Sequence, residues 1–183
     1  MTQQAFCIDL GRCIGCNACV ISCKELLQLA NSLYRRHVYD LPEYLVETPL
    51  RNYLTAACNH CDEPACMKGC PTGAYSKNDQ GIVIHDDSVC IGCKYCEWTC
   101  PFNVPQFNEE AGVIDKCDLC IARQEEGLRP ACEASCPLSA IKVMDVSEIP
   151  DDYQRGVEGY PDVNLTGANI YVKLPSTVDQ VRR

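Results

Sequence analysis

Apolar positions along the chain fall in short runs broken by turn residues, a pattern that predicts many short elements. Ala5-Phe6-Cys7-Ile8 reads as a first strand and Ala140-Ile141-Lys142-Val143-Met144 as a late one. Between them, Gly73-Ala74-Tyr75 leads through Asn78-Asp79-Gln80-Gly81 into the β-branched run Ile82-Val83-Ile84, which predicts a hairpin. Gly112-Val113-Ile114-Asp115 predicts a further strand. The tail from Asp145 is rich in Asp, Pro and Gly, with one strand-like piece near Ile170, and reads as a strap across a partner. Leu26, Leu27, Ala30, Leu33 and Tyr34 recur at helical spacing, so a helix is expected there. No apolar run approaches the length needed to span a bilayer.

Cysteine punctuates these runs, with 17 copies among 183 residues. All but Cys7 fall into four groups: Cys13, Cys16, Cys19 and Cys23; Cys58, Cys61, Cys66 and Cys70; Cys90, Cys93, Cys96 and Cys100; Cys117, Cys120, Cys132 and Cys136. The last three groups end in Cys-Pro, whereas group one continues into Lys24. Groups one and three have the C-x2-C-x2-C-x3-C spacing of bacterial ferredoxins, in which three cysteines wrap one iron–sulfur cluster and the fourth reaches a second. A tetrahedral zinc site has no need of third and fourth cysteines at such close intervals. In groups two and four the spacing is widened at 62–65 and 121–131, which predicts surface loops that leave the ligands in reach.

Composition agrees with metal ligation. The cysteine count is odd, which leaves one thiol over in any all-disulfide scheme. The first six residues carry no basic region, apolar stretch or cleavage site, so no secretory signal is expected. Phe, Trp and Met number only 3, 1 and 3, a poor stock for an ordinary core, and ligand bonds made only in the folded state can supply the missing cross-links. The net charge of −9 disfavours nucleic acid and anionic membrane surfaces.

Because the fourth cysteine of one group serves another cluster, the groups work in pairs. The predicted hairpin is the connection expected inside a two-cluster ferredoxin, so groups two and three pair, and one and four close around them. Spacing alone leaves open the rival pairing of one with two and three with four. The nested arrangement makes an α+β fold of two bacterial-ferredoxin-like units, one inserted into the other, with long loops: residues 1–55 plus 110–183 outside and 56–109 inside. Its ligand sets are Cys13, Cys16, Cys19 and Cys136; Cys117, Cys120, Cys132 and Cys23; Cys58, Cys61, Cys66 and Cys100; Cys90, Cys93, Cys96 and Cys70. Four [4Fe–4S] clusters and no three-iron cluster are expected.

The stretches Cys58-Asn59-His60-Cys61, Asp62-Glu63-Pro64-Ala65-Cys66, Cys70-Pro71-Thr72-Gly73-Ala74, Val89-Cys90-Ile91-Gly92-Cys93-Lys94-Tyr95-Cys96, Pro105-Gln106-Phe107-Asn108, Lys116-Cys117-Asp118, Glu133-Ala134-Ser135-Cys136-Pro137-Leu138 and Asn169-Ile170-Tyr171-Val172-Lys173 together resemble the four-cluster iron–sulfur subunits of molybdopterin oxidoreductases, dimethyl sulfoxide reductase above all. The likeness covers nearly the whole chain, with little from 145–165. It implies the nested pairing and a heterotrimer. A catalytic subunit holds the molybdenum cofactor, a membrane anchor oxidises menaquinol, and this chain, non-catalytic itself, relays electrons between them. The complex would be peripheral in a bacterium or archaeon, on the periplasmic face by co-export or on the cytoplasmic face. The Cys90-Cys93-Cys96-Cys70 site would lie towards the quinol and the Cys13-Cys16-Cys19-Cys136 site towards molybdenum. Related subunits serve polysulfide, tetrathionate, arsenate, selenate and formate enzymes.

Two other classes compete. A self-contained reductase would need an open three-thiolate cluster, and no dinucleotide-binding, P-loop, nucleophile-elbow or radical-SAM motif is present. A zinc scaffold or redox sensor would be colourless. Cys7 reads as a small buried hydrophobe. Trp98 reads as packing against a cluster rather than marking a partner contact. Backbone amides rather than His60 are expected to donate to sulfur. Lys24, Arg35 and Arg36 read as a solvated helix face, and Asn164 as an unused glycosylation sequon. From the ligand sets, Cys93→Ser is expected to turn one cluster into a three-iron form and to impair quinol-linked activity. Electron paramagnetic resonance checks this, and an unaltered spectrum with unaltered activity would remove Cys93 from the set.

Overall fold

A computed structural model of the protein describes residues 2–41 and 52–175. It is a mixed α/β structure of small sheets and short helices. Strand β1 (Gln4–Asp9) leads into helix α1 (Ala18–Leu26), then β2 (His37–Leu41) and β3 (Asn52–Ala56). Next come α2 (Ala65–Lys68), β4 (Tyr75–Lys77), β5 (Val83–His85), α3 (Tyr95–Thr99), β6 (Gln106–Asn108) and β7 (Val113–Asp115). The order closes with α4 (Ile121–Glu125), α5 (Ala131–Ala134), β8 (Ile141–Asp145), β9 (Gln154–Arg155) and β10 (Ile170–Lys173).

The one sheet of four strands among the described residues runs β8-β1-β10-β9. In it β1 lies antiparallel to β8 and parallel to β10, with Phe6 opposite both Val143 and Ile170. A central strand covered on both faces is apolar throughout, and every residue from Ala5 to Asp9 is buried. Three two-stranded pieces complete the fold: β2 with β3, β4 with β5, and β6 with β7, all antiparallel. The expected hairpin is the β4–β5 pair, with Tyr75 opposite His85. The strands expected at residues 5, 113, 140 and 170 also form.

Two expectations change. The helix predicted over Leu26 to Tyr34 starts earlier and stops sooner, since α1 runs from Ala18 to Leu26 and carries Cys19 and Cys23. Gln28 takes a left-handed φ of 48°, which ends the helix, and Lys24 Nζ then folds back onto the carbonyls of Ala30, Asn31 and Leu33. The widened segment of group four is not wholly loop either, because Ile121–Glu125 forms α4.

The described tail is built into the same molecule. Its strands β9 and β10 make half of the main sheet, and residues 155–169 clasp the group-two loop. Asp62 N–H donates to the Gly167 carbonyl at 2.8 Å and Asn169 N–H to the Asn59 carbonyl at 3.0 Å. The Asp62 carboxylate accepts from Arg155 Nη2 at 2.8 Å and from Asn169 Nδ2 at 2.9 Å. Burial alone would raise this carboxyl, but those hydrogen bonds outweigh it and hold the pKa below the usual value. Residues 176–183 of the expected strap lie outside the described residues. Asp62→Ala is expected to loosen the clasp at a cost of about 1 kcal/mol, small because the carboxylate is half-exposed. Hydrogen exchange at the Ala168 and Asn169 amides checks this, since unchanged protection there would mean that the clasp does not depend on Asp62.

Candidate metal centre

The cysteine loops turn left-handed at repeated places. Gly15 (φ 68°) and Asn17 (φ 59°) in group one match Gly92 (φ 65°) and Lys94 (φ 61°) in group three. His60 (φ 43°) marks group two, and Leu119 (φ 58°) with Cys120 (φ 54°) marks group four. Each non-glycine residue there costs roughly 1–2 kcal/mol. The return is a nest, in which alternation of hand points successive N–H groups inwards at negative charge. Gly92 N–H reaches Cys90 Sγ at 3.4 Å and Leu119 N–H reaches Cys117 Sγ at 3.4 Å.

A second turn closes the three Cys-Pro groups. The third residue after the cysteine is left-handed each time: Gly73 (φ 68°), Asn103 (φ 52°) and Ser139 (φ 51°). That turn sends the following amide back to sulfur, Ala74 to Cys70 at 3.3 Å and Ala140 to Cys136 at 3.2 Å, while burial raises the Cys100 thiol and the Val104 amide opposes that rise. Group one lacks the proline, and its last cysteine sits inside α1. Hydroxyls add to the amides: Thr166 Oγ1 donates to Cys61 Sγ at 3.1 Å, and Thr55 Oγ1 lies 3.3 Å from Cys19 Sγ.

The structure brings cysteines of different groups together. Cys13, Cys16, Cys19 and Cys136 line one cavity. Cys58, Cys61, Cys66 and Cys100 line another. Cys23 feels the charges of Cys132 and Cys120, and Cys117 those of Cys132 and Cys23. Cys96 feels Cys70 and Cys90 and packs with both. Cys93 is exposed.

Burial makes these thiolates costly. It pushes Cys23 and Cys66 up to about 12 and Cys61 to about 11, with neighbouring cysteines adding to the rise. Cys70 runs the other way: burial is the largest single influence and raises it, but the Thr72 hydroxyl with the Ala74, Thr72 and Gly73 amides together outweigh it and lower the thiol. Bare thiolates would therefore take up protons at most of these positions, so a ligand of high positive charge is what the donor set suits. Among the described residues no three His, Cys, Asp or Glu side chains close on one point as ligands of a single ion would. The sulfurs stand around cavities instead, which fits polynuclear iron–sulfur clusters.

Cys7 is fully buried in β1, and burial pushes its thiol up to about 12, as expected of an inert hydrophobe. His60 is also buried. Its Nδ1 accepts from the Val83 amide at 3.1 Å, and backbone amides serve the sulfurs. Trp98 departs from expectation: it is 86% exposed and does not pack inside. Asn164 sits in a short turn, bonded to Asp162.

The basic group also departs from expectation. Arg35 is mostly buried and paired bidentately with Asp115, at 2.6 and 2.9 Å. Arg36 is only 1% exposed. Sequence reasoning missed another buried cation, Lys116, whose Nζ donates to the carbonyls of Val83 and Cys117 beside the Cys58 cavity. The signal available was adjacency, since Lys116 immediately precedes a ligand cysteine.

Comparison with known proteins decides the family. Residues 50–146 match the 4Fe-4S dicluster domain and residues 10–31 the 4Fe-4S binding domain. The sequence is 37% identical over 182 residues to the B subunit of the anaerobic dimethyl sulfoxide reductase of Escherichia coli, an alignment that covers 94% of this protein and 89% of that one. The protein belongs to the 4Fe-4S dicluster family. It is also similar to the probable anaerobic dimethyl sulfoxide reductase subunit YnfG of Escherichia coli, 38% identical over the same shares. A further relative, the thiosulfate reductase electron transfer subunit PhsB of Salmonella typhi, is 40% identical over 77% of this protein and 76% of its own length. As a dicluster-family member the protein binds several [4Fe–4S] clusters and is a non-catalytic electron-transfer subunit.

The dicluster loops depend on glycine where backbones meet. A Cβ on Gly92 would collide with the Gly112 carbonyl in the β6–β7 turn, in a backbone conformation L-residues resist. Gly92→Ala is expected to cost the protein one cluster, about a quarter of its iron. The iron-to-protein ratio after anaerobic purification checks this, and full iron would show that the loop tolerates the methyl group.

Proposed function

We propose that the protein holds four [4Fe–4S] clusters in two ferredoxin-like units, residues 56–109 inserted between 1–55 and 110–183. It relays electrons between a quinol-oxidising membrane anchor and the molybdopterin catalytic subunit of a dimethyl sulfoxide reductase-type complex. The ligand sets are those of the nested pairing: Cys13, Cys16, Cys19 and Cys136 (site 1); Cys117, Cys120, Cys132 and Cys23 (site 2); Cys58, Cys61, Cys66 and Cys100 (site 3); Cys90, Cys93, Cys96 and Cys70 (site 4). The nested pairing is supported by β1 lying beside β8 and α1 against α5, while α2 packs on α3.

The sites follow one another. Cys19 of site 1 feels Cys132 of site 2, and Cys117 of site 2 feels Cys58 of site 3. Tyr75 is buried beside Cys66 of site 3 and Cys96 and Cys70 of site 4. When bound, the clusters supply one-electron carriers at these four places. The protein holds their thiolates, keeps water from the inner ones and sets the charge around each.

The observation that carries the reading is where the series opens. Cys16 of site 1 and Cys93 of site 4 are the exposed cysteines. Each has exposed apolar neighbours: Ile14 and Leu138 line the cavity of the first, and Val89, Ile91, Tyr95 and Trp98 lie within five residues of the second in sequence. Apolar rims around the two end ligands suit two partner subunits that dry each junction. Among the described residues no helix is long and apolar enough to cross a membrane, so the proposed association with the membrane is peripheral, through the anchor. A second reading places the protein in a related thiosulfate or tetrathionate enzyme, since subunits of both are among its relatives.

Trp98→Glu tests the assignment of the second rim. The variant complex is expected to lose at least tenfold of quinol-driven substrate reduction, because a buried unpaired carboxylate opposes docking. Reduction driven by a small soluble dye should persist. Equal loss with both donors, or no loss with quinol, would count against a docking role for that rim, and a purified complex without molybdenum would count against the proposed partner.

A further inference from the structure

Arg36 is the most buried charge among the described residues, at 1% exposure, and the interior offers it little. Its guanidinium lies over the Phe6 ring, 4.3 Å from the centroid. Nη1 donates to Thr55 Oγ1 at 3.1 Å. Nη2 is buried and finds no acceptor among the described residues. The charges that bear on it most are thiolates from two sites, Cys132, Cys117 and Cys23 of site 2 and Cys19 of site 1. A buried guanidinium left without a counter-ion would be strongly destabilising. Here its counter-charge is sulfur.

The Thr55 hydroxyl, also buried, stands between Arg36 and Cys19 Sγ, at 3.1 and 3.3 Å. Arginine cannot accept a hydrogen bond. Thr55 Oγ1 must therefore accept from Arg36, which leaves its own proton for Cys19 sulfur. The arginine thus decides the direction of the second bond.

We propose that Arg36 is the shared counter-charge of sites 1 and 2, raising the reduction potential of both, and that at site 1 it also acts through the Thr55 hydroxyl it orients. An electron added to either cluster adds negative charge, which a nearby fixed cation and a donor to sulfur both stabilise. Arg36 is a positioning residue here, since it ligates nothing. The inference rests on the ligand sets proposed above.

The test is a redox titration of the full cluster-loaded protein, followed by electron paramagnetic resonance. Arg36→Met is expected to lower two of the four midpoints, and Thr55→Val to lower only one of those two, by less. Arg36→Lys, which keeps the charge, should restore most of the two-cluster shift. A purely structural arginine would change heat stability and leave the midpoints in place, so unmoved midpoints at full iron content overturn the proposal. A Thr55→Val shift confined to a cluster that Arg36→Met leaves alone overturns it too. If Arg36→Met sheds iron, Thr55→Val decides, being nearly isosteric: one lowered midpoint supports the relay and none refutes it. Wild-type protein with iron for fewer than four clusters would instead overturn the ligand sets.

Discussion

The constraint on which the molecule depends is the negative charge of buried sulfur. Burial drives the thiols of Cys23, Cys61, Cys66 and Cys117 towards protonation, and a ligand sulfur must be a thiolate. Three things offset that cost: iron, the inward-pointing amides of the left-handed loops, and buried cations. The backbone strain at Lys94, Leu119 and Cys120 makes sense in those terms, because without those turns the amides would not face sulfur. The same account explains the thin stock of Phe, Trp and Met. Cys19, Cys58, Cys117 and Cys132 are members of the main hydrophobic cluster with Phe6, Ile8, Leu54 and Ile170, so the metal sites occupy space that side chains fill in an ordinary core.

Charge compensation also orders the fold. Strand β1 crosses the sheet centre, and its Phe6 lies under Arg36, so the main sheet and the cation that bonds Thr55 beside Cys19 share one contact. The tail reaches the other end of the problem. Residues 155–169 clasp the group-two loop through Asp62, and Thr166 places a hydroxyl on Cys61. A segment that looks like a connector thus supplies both a strand and a donor to sulfur.

What could be read from the sequence was what local spacing encodes. The four cysteine groups, the Tyr75–His85 hairpin and strands β1, β7, β8 and β10 all rest on neighbours within a few residues, and they were legible. The helix boundary after Cys23 was not. Leu26 to Tyr34 have helical spacing, yet Gln28 turns left-handed and Lys24 captures three carbonyls, a tertiary choice that overrides periodicity. The roles of Arg35, Arg36 and Lys116 were hidden for a similar reason. Charged residues are expected outside unless partnered, and here the partners are Asp115, backbone carbonyls or sulfurs distant in sequence. Trp98 failed in the opposite sense: large aromatics are expected inside, and this one is held out on the surface.

Exposure and charge divide the labour among the sites. The buried cations sit with the interior thiolates, Arg36 between those of groups one and four and Lys116 beside the Cys58 cavity, where no solvent can screen sulfur. Close to Cys93 in sequence the cation is Lys94, held over the Phe107 ring at 4.0 Å near the surface. An exposed thiolate needs no internal counter-ion because water stabilises it, and a docked partner must take over that role when it expels the water. An apolar rim helps the partner close the junction but does nothing for the charge. In the docking proposed at Cys93, the partner's surface should therefore carry hydrogen-bond donors or a cation at its centre, inside a ring of apolar contact.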